Sequence, residues 1–377
     1  MVLVCEPVCD ADQHISFNTA ILTALSESGC DRILLMCSKG HWECLRRDLS
    51  ISVVNKIELH EISLISRDDS FSGFFEAFRL LKLVCLLAKN SQVSSMIFLT
   101  TTAGMLECTN RIKNPQKIYA FMHMALSRLN MYRPRNPISR WFTLTNVFKR
   151  LRSERLNVLV LEEHIRANLF SKFSHLENIV KCVEHPVPDK HGKVRFDEIN
   201  TSELYNKTVL GFPGNFTFDK GALDFASLAN NSSLTVNHIF KVIGRNKEVS
   251  EEYCSNLYPK PLPKAFITSE EYNTQLVQSD YLFLGHKSEV YNWTASGVYV
   301  DAIELNIPII AKRNQLYENE FEKYGAMGFL YDHVDEICVF LTSVRKCDYD
   351  SFKENMRKAK RSRNTSFSKS IFDMLNE

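Results

Sequence analysis

The stretch TASGVYVDAIELNIPIIA, Thr294 to Ala311, sets a Ser-Gly pair at the head of a short helical segment and Asn-Ile-Pro at its tail, running directly into an apolar strand. Ser296 is an N-cap type, Gly297 leaves room beside the first free amides, and Asp301 falls one turn further on. A helix that hands its chain straight to a buried strand is the repeating step of a parallel sheet. Alone, the stretch is a capped helix; its meaning depends on what precedes it.

The same step runs through the chain. In the first half, apolar runs at Val2 to Glu6, Arg32 to Cys37, Lys56 to Ile62, Ser95 to Thr100, Lys117 to His123, Leu156 to Leu161 and Asn178 to Val183 read as strands. Helical patterns such as Ser16 to Ser28 and Phe71 to Lys89 lie between them. The alternation pauses in the polar stretch Glu184 to Lys207, then resumes at Thr208 to Phe212, Ile239 to Ile243, Lys264 to Ile267, Tyr281 to Leu284 and Ile307 to Ala311. The expected class is α/β, with two doubly wound parallel-sheet domains at 1–185 and 208–348, a linker at 186–207 and a last helix at 349–377. Such sheets bind ligands at the carboxyl ends of their strands, which places the expected ligand in a central cleft and the useful residues just after strands.

Composition narrows the function. A net charge of +2 over 377 residues argues against nucleic acid as a partner. Eleven cysteines without a CxxC pair or Cys/His cluster fit a reducing, cytoplasmic setting and small buried roles, and no metal is expected. The N-terminus carries no basic leader and reads as a strand. The stretch 131–155 holds seven Lys/Arg against one Glu, together with Trp141, Phe142 and Phe148, and so suits an anionic membrane surface; the alternative is a solvated helix face over core aromatics. The basic run 357–369 reads as the exposed face of the last helix.

Several residues stand where the cleft is expected. GFPGNFTFDKG, Gly211 to Gly221, offers Gly214 in a loop and Lys220 at a helix start, which suits a phosphate. FKVIGRN puts Gly244 and Arg245 after the next strand. In the first half, the loop CDADQHISFN supplies Asp10, Asp12 and His14, YAFMHMA supplies His123, and VLVLEEHIR supplies Glu162, Glu163 and His164. Acids and imidazoles of this kind act as general bases or bind sugar hydroxyls; each taken singly also reads as a core or turn residue.

In order, GFPGNFTFDKG, FKVIGR and SDYLFLGHKSEVYNWTASGVYVDAIELNIPIIA resemble the nucleotide-binding domain of the GT-B glycosyltransferases, of the family 4-like type that builds bacterial surface polysaccharides. The first is similar to that family's G-R-x-x-x-x-K-G loop, the last to its small-residue helix start, acidic-Ala pair, G-x-P turn and strand, and EHPVP to its crossing between domains. The resemblance is good from about Glu184 to Ala311 and thin before it. It implies Rossmann-like domains, with the last helix returning to the first. It implies that Lys220 contacts the donor diphosphate and Gly214 admits it. Ser296 and Gly297 would present amides to the phosphates, and Asp301 stands where many relatives bind the donor ribose. His123 would be the acceptor-side histidine. Asn215 stands where an arginine is common, so one phosphate contact is either missing or supplied by Arg245. Trp293 replaces a carboxylate, with Glu289 four residues upstream.

The implied activity is transfer of a sugar from a nucleoside-diphosphate donor to a glycan acceptor, lipid-linked, in cell-surface polysaccharide synthesis (O-antigen, capsule or exopolysaccharide). The enzyme would be cytoplasmic and peripheral on the inner membrane. Asp12, His123 and Glu163 are the candidate bases, and His14 belongs to the acceptor loop. Lysine and a helix terminus suffice for the leaving phosphates without a metal cofactor; the single D-x-D, Asp10 and Asp12, follows the first strand rather than a nucleotide loop. A nucleotide-sugar epimerase of the same architecture and a catalytically silent scaffold protein are the alternatives.

Overall fold

Strand β1 (Val2–Cys5) buries all four of its residues, Val2 and Val4 in one apolar cluster and Leu3 and Cys5 in another. Successive side chains leave opposite faces of a strand, so apolar layers cover both sides, as in parallel sheets wrapped by helices. The computed structural model describes residues 1–112, 116–123, 125–131, 136–188, 207–265, 267–287 and 291–376. The expected linker falls largely outside them, at 189–206, as do Glu289 and residues 132–135 of the basic stretch.

The chain divides into two compact units: Met1–Pro188 with Trp293–Ala295 and Asn364–Glu377, and Asp189–Asn292 with Ser296–Arg363. In the first unit β1, β2 (Ile33–Cys37), β3 (Ile57–Glu61), β4 (Ser95–Phe98), β5 (Lys117–Phe121), β6 (Leu156–Val160) and β7 (Val180–Cys182) form one sheet. Its order is β3-β2-β1-β4-β5-β6-β7, with every pairing parallel. Each of these strands lies inside a stretch read as a strand from the sequence.

The second unit holds β8 (Thr208–Pro213), β9 (His238–Ile243), β10 (Leu257–Tyr258), β11 (Tyr281–Leu284), β12 (Ile309–Lys312) and β13 (Gly328–Tyr331), in the order β10-β9-β8-β11-β12-β13 and again all parallel. Two features differ from the sequence reading. The described residues at Lys264–Ile267 are not a strand: Leu257 and Tyr258 take the edge beside Phe240 and Lys241, and the Pro263 carbonyl accepts from Asn246 N at 2.7 Å. The strand at Gly328–Tyr331 was not among the expected strands, although the apolar run Ala326 to Tyr331 covers it; only its end residues are buried. Both sheets are doubly wound, with switch points between β1 and β4 and between β8 and β11.

The last helix, Lys346–Asn376, corrects the reading of the basic run as a purely exposed face. Arg363 is wholly buried, its Nη2 lying 2.9 Å and its Nε 3.2 Å from Glu320 Oε2. The same oxygen accepts from Tyr299 Oη at 2.8 Å, which ties the first turn of the helix Gly297–Leu305 to this pair. Beyond it, Phe367, Ile371 and Met374 join the apolar cluster of the first unit, and Tyr119 Oη donates to the Met374 carbonyl at 2.9 Å. Trp293, read as the replacement for a carboxylate, is a core residue of the first unit, 9% exposed, with Lys172 Nζ 5.5 Å from its ring.

A buried ion pair is costly to break from one side, because the remaining charge is stranded in low dielectric. Arg363→Met or Glu320→Leu alone should therefore destabilise the protein by roughly 3–5 kcal/mol, and the double change by much less. Urea denaturation of the three variants reads this difference.

Candidate active site

At the second switch point, the loop after β8 turns through Thr217 and a short 3-10 segment, Phe218–Lys220, into the helix Ala222–Ala229. The Lys220 amine overhangs Gly214, where a Cβ would lie 3.1 Å from Nζ and 4.0 Å from Val298 Cγ2. Lys220, Gly214 and the start of the helix Gly297–Leu305 thus converge from positions some eighty residues apart in sequence. Gly244, at φ 140°, closes the floor: a Cβ there would collide with the Gly214 carbonyl, so only glycine permits this approach. Gly221, at φ 83°, packs in the same way on Gly285, which follows β11.

Ser296 caps the helix Gly297–Leu305, its Oγ accepting from Tyr299 N at 3.2 Å. The cap spends one orphan amide, and the amides of Gly297 and Val298 remain at the end that carries the positive pole of the helix dipole. Gly297 is exposed, and a Cβ there would meet nothing within 4 Å, so there is open space beside the start of this helix. Among the described residues Lys220 Nζ has no hydrogen-bond or ion-pair partner. Burial, with a contribution from Lys247, pulls its pKa below the ordinary lysine value. Arg245 stands beside Asn215, its Nε donating to Asn215 Oδ1 at 3.1 Å, so the guanidinium occupies the neighbourhood that the missing arginine left. Asp301 Oδ2 accepts from Tyr272 Oη at 3.2 Å.

His286, two residues after β11, was quoted in the sequence motif but not singled out. It is buried, stacked on Tyr291 at 3.7 Å and 4°, and its Nδ1 lies 2.8 Å from Tyr317 Oη. Burial and the Lys220 charge push its pKa well below the usual imidazole range, so it is a neutral wall of the site. The rule that useful residues follow strands would have found it.

At the first switch point the arrangement is reversed. Glu6, buried directly after β1, accepts from Val8 N and Cys9 N at 3.0 Å through Oε1, and from Thr100 Oγ1 at 2.8 Å and Asn18 Nδ2 at 3.2 Å through Oε2. Asn18 Nδ2 also meets His41 Nε2 at 2.9 Å, and His41 Nδ1 meets the Ala11 carbonyl at 3.0 Å. A carbonyl only accepts, so His41 carries its hydrogen on Nδ1 and receives one from Asn18 on Nε2. This network holds a strained loop: Ala11 and His14 sit at φ 46° and 56°, left-handed values that cost non-glycine residues about 1–3 kcal/mol each.

The loop presents His14 against His123, ring centroids 4.2 Å apart, with Phe17 at 4.5 Å and His185 at 5.8 Å from the same ring. His123 Nδ1 is buried without a partner among the described residues. Burial first, then His14 and His185, hold the His123 pKa well below the imidazole range, and burial also lowers that of His14. Both are neutral proton acceptors at neutral pH. Asp12 and Glu163 do not join this ring cluster: Asp12 is exposed, and Glu163 is exposed and paired with Arg166 at 2.5 Å. Glu162 and His164 are buried, and Asp10 Oδ1 accepts from Ser38 Oγ at 2.6 Å. All eleven cysteines are free thiols, and among the described residues no cluster of His, Cys, Asp or Glu is placed to hold a metal.

No protein-family model and no curated protein sequence matches this chain. Solved structures do, over nearly its whole length. It is similar to a glycosyltransferase from Rickettsia africae, at TM-score 0.67 and 11% identity, covering 99% of this chain and 97% of that one. It is also similar to Alr3699/HepE from Anabaena in complex with UDP-glucose, at 0.65 and 14%, covering 100% and 99%. A third is the UDP-forming α,α-trehalose-phosphate synthase of Burkholderia xenovorans in complex with glucose-6-phosphate, at 0.65 and 9%, covering 99% of each. The two all-parallel α/β sheets have the fold of the GT-B glycosyltransferases.

The buried imidazoles make stability pH-dependent. His123 and His286 bind a proton less readily folded than unfolded, so the unfolded chain gains protons first as pH falls through about 6.5. Stability should fall on acidification by up to about 1.4 kcal/mol per group per pH unit below that value. Thermal unfolding between about pH 7 and about pH 5 should show this slope, and His286→Gln should flatten it.

Proposed function

We propose that this protein is a glycosyltransferase that binds a nucleoside-diphosphate sugar at Lys220 and transfers the sugar to a glycan acceptor handled by the first unit. The observation that carries the reading is Lys220 itself: a half-buried ammonium with no anionic partner among the described residues, set over Gly214 beside the capped start of the helix Gly297–Leu305. A cation, a close-approach glycine and a helix N-terminus in one place are the parts of a diphosphate site. The UDP and UDP-glucose complexes of the similar Anabaena protein agree with such a donor.

In this reading an acceptor hydroxyl attacks the anomeric carbon while the bond from that carbon to the diphosphate oxygen breaks, and the electron pair leaves with the phosphate. Lys220 and the helix amides stabilise the developing charge, Arg245 adds to it beside Asn215, and Asp301 lies one turn along for the ribose. The hydroxyl proton passes to a neutral imidazole, and His123 with His14 are the pair held for that role. Asp12 and Glu163 remain on the same half of the molecule as solvent-facing acids. The acceptor is read as a lipid-linked glycan of cell-surface polysaccharide synthesis, met at the inner face of the membrane. The basic aromatic stretch supports that part of the reading, and among the described residues no helix is long and apolar enough to cross a membrane.

Calorimetry with UDP, GDP and dTDP should show binding of one or more, and Lys220→Ala should weaken it by about 10–100-fold, about 1.4–2.8 kcal/mol. No binding of any of the three would overturn the reading. Binding together with full glycan production by Lys220→Ala in cells would point to the scaffold alternative, and turnover of a nucleotide sugar without acceptor would point to an epimerase. A panel of nucleotide sugars with acceptor membranes, read by released nucleotide, then identifies the donor.

A further inference from the structure

We propose that the sugar accepted by the first unit carries an oxyanion, a carboxylate or a phosphate, and that Arg67 pairs with it beside His14. The proposal rests on the acceptor reading above and deepens it by naming the charge of that substrate.

Arg67 lies in the loop between β3 and the helix Phe71–Asn90, and the loop is fastened on several sides. Ile65 N donates to the Pro7 carbonyl at 2.9 Å, which lays the loop against the one after β1. Ser66 N donates to Glu76 Oε2 at 2.7 Å, and Asp68 N donates to Ser66 Oγ at 3.1 Å. Arg128 donates to the Arg67 carbonyl and, at 3.4 Å, to Asp69 Oδ1, while Leu144 N donates to Asp69 Oδ2 at 3.4 Å. A backbone held in this way loses little further freedom when a ligand binds.

The half-buried Arg67 side chain reaches across to the loop after β1. Its Nη2 donates to Gln13 Oε1 at 2.8 Å and lies 3.9 Å from Cys9 Sγ. Gln13 directly precedes His14, whose ring meets His123. Burial, opposed by Glu6 and aided by Arg67, lowers the His14 pKa, so the guanidinium acts on the imidazole pair. Both groups that Arg67 touches are uncharged, since burial and Glu6 push the Cys9 thiol up to about 12.

No carboxylate answers this cation among the described residues. Glu6 is enclosed by its four donors, Asp69 serves Arg128 and Leu144, Glu76 serves Ser66, and Asp10 accepts from Ser38. Both contacts of Arg67 use Nη2, so Nε–H and the Nη1 hydrogens have no partner among the described residues. A planar guanidinium with donors to spare matches the geometry of carboxylate and phosphate, and bonds between ionised partners are roughly twice as strong as neutral ones. Next to the imidazoles that take the acceptor's proton, the matching anion is one borne by the acceptor itself.

Calorimetry of the full chain with glucose, glucose 6-phosphate, glucuronate and inorganic phosphate tests this. Glucose 6-phosphate or glucuronate should bind at least about tenfold tighter than glucose, and inorganic phosphate should compete with it. Which of the two binds tighter tells a phosphate-bearing acceptor from a carboxylate-bearing one. Arg67→Gln should bring both within about twofold of glucose, and Arg67→Lys should keep part of the preference, with the melting temperature and UDP binding of both variants unchanged. Lys220 also attracts phosphate, so the titrations are repeated on Lys220→Ala, where the preference should persist; losing it there would place the anion in the donor site and overturn the proposal. Failure of every anionic probe to bind, glucose binding as tightly as the anions, or a preference retained by Arg67→Gln would overturn it as well. UDP binding is a separate titration: its failure with the Arg67 preference intact removes the donor reading alone, and the reverse result removes only the anionic acceptor.

Discussion

The architecture depends on a topological constraint: in a doubly wound parallel sheet, the loops leaving two neighbouring strands depart in opposite directions, and backbone donors at that gap lack sheet partners. Each unit meets this constraint once, and the two solutions carry opposite charge. In the first unit the chain fills the gap with its own carboxylate, Glu6, which satisfies two amides from the loop after β1, Thr100 from the loop after β4, and Asn18. In the second unit glycines let the loops after β8 and β11 close on each other, and the group left at the gap is the ammonium of Lys220. One switch point carries a carboxylate satisfied by its own chain, and the other carries an ammonium without a hydrogen-bond or ion-pair partner among the described residues.

The remainder of each site follows from that difference. Around Glu6 the satisfied network can hold two left-handed residues, Ala11 and His14, and this strained loop brings His14 to His123. Around Lys220, burial together with the lysine charge keeps His286 neutral, and the His286 ring is in turn fixed by Tyr317 and Tyr291. The helix that offers its amides to the same gap is anchored through Tyr299 to the buried Glu320–Arg363 pair, so a basic residue remote in sequence sets its pose.

The fold was legible where both strand faces are buried, as in β1, β2, β4 and β6, because this writes apolar runs into the sequence; the first seven strands, the largely exposed β3 included, fall inside the expected stretches. What failed was short or marginal: β10 has only two residues, the apolar run ending in β13 is only half buried, and the described residues of Lys264–Ile267 are not a strand despite their apolar character. The convergence of Gly214, Lys220 and the capped start of the helix Gly297–Leu305 follows residues that carry local sequence marks: glycine, lysine and a helix cap. Glu6, Asn18 and His41 carry no such mark, since a carboxylate at a strand end looks the same whether it faces solvent or four buried donors. Trp293 was noticed as a departure in a motif, while its physical role, a side chain in the first unit's core, depends on contacts that sequence spacing does not encode.

The self-contained carboxylate at the first switch point also makes that gap costly to alter. Replacing Glu6 by an apolar side chain would strand Val8 N, Cys9 N and two side-chain donors at about 1–3 kcal/mol apiece. That sum rivals the whole margin by which a typical domain stays folded, about 5–15 kcal/mol. The first switch point is therefore held closed from within by one early glutamate on which four separate donors depend.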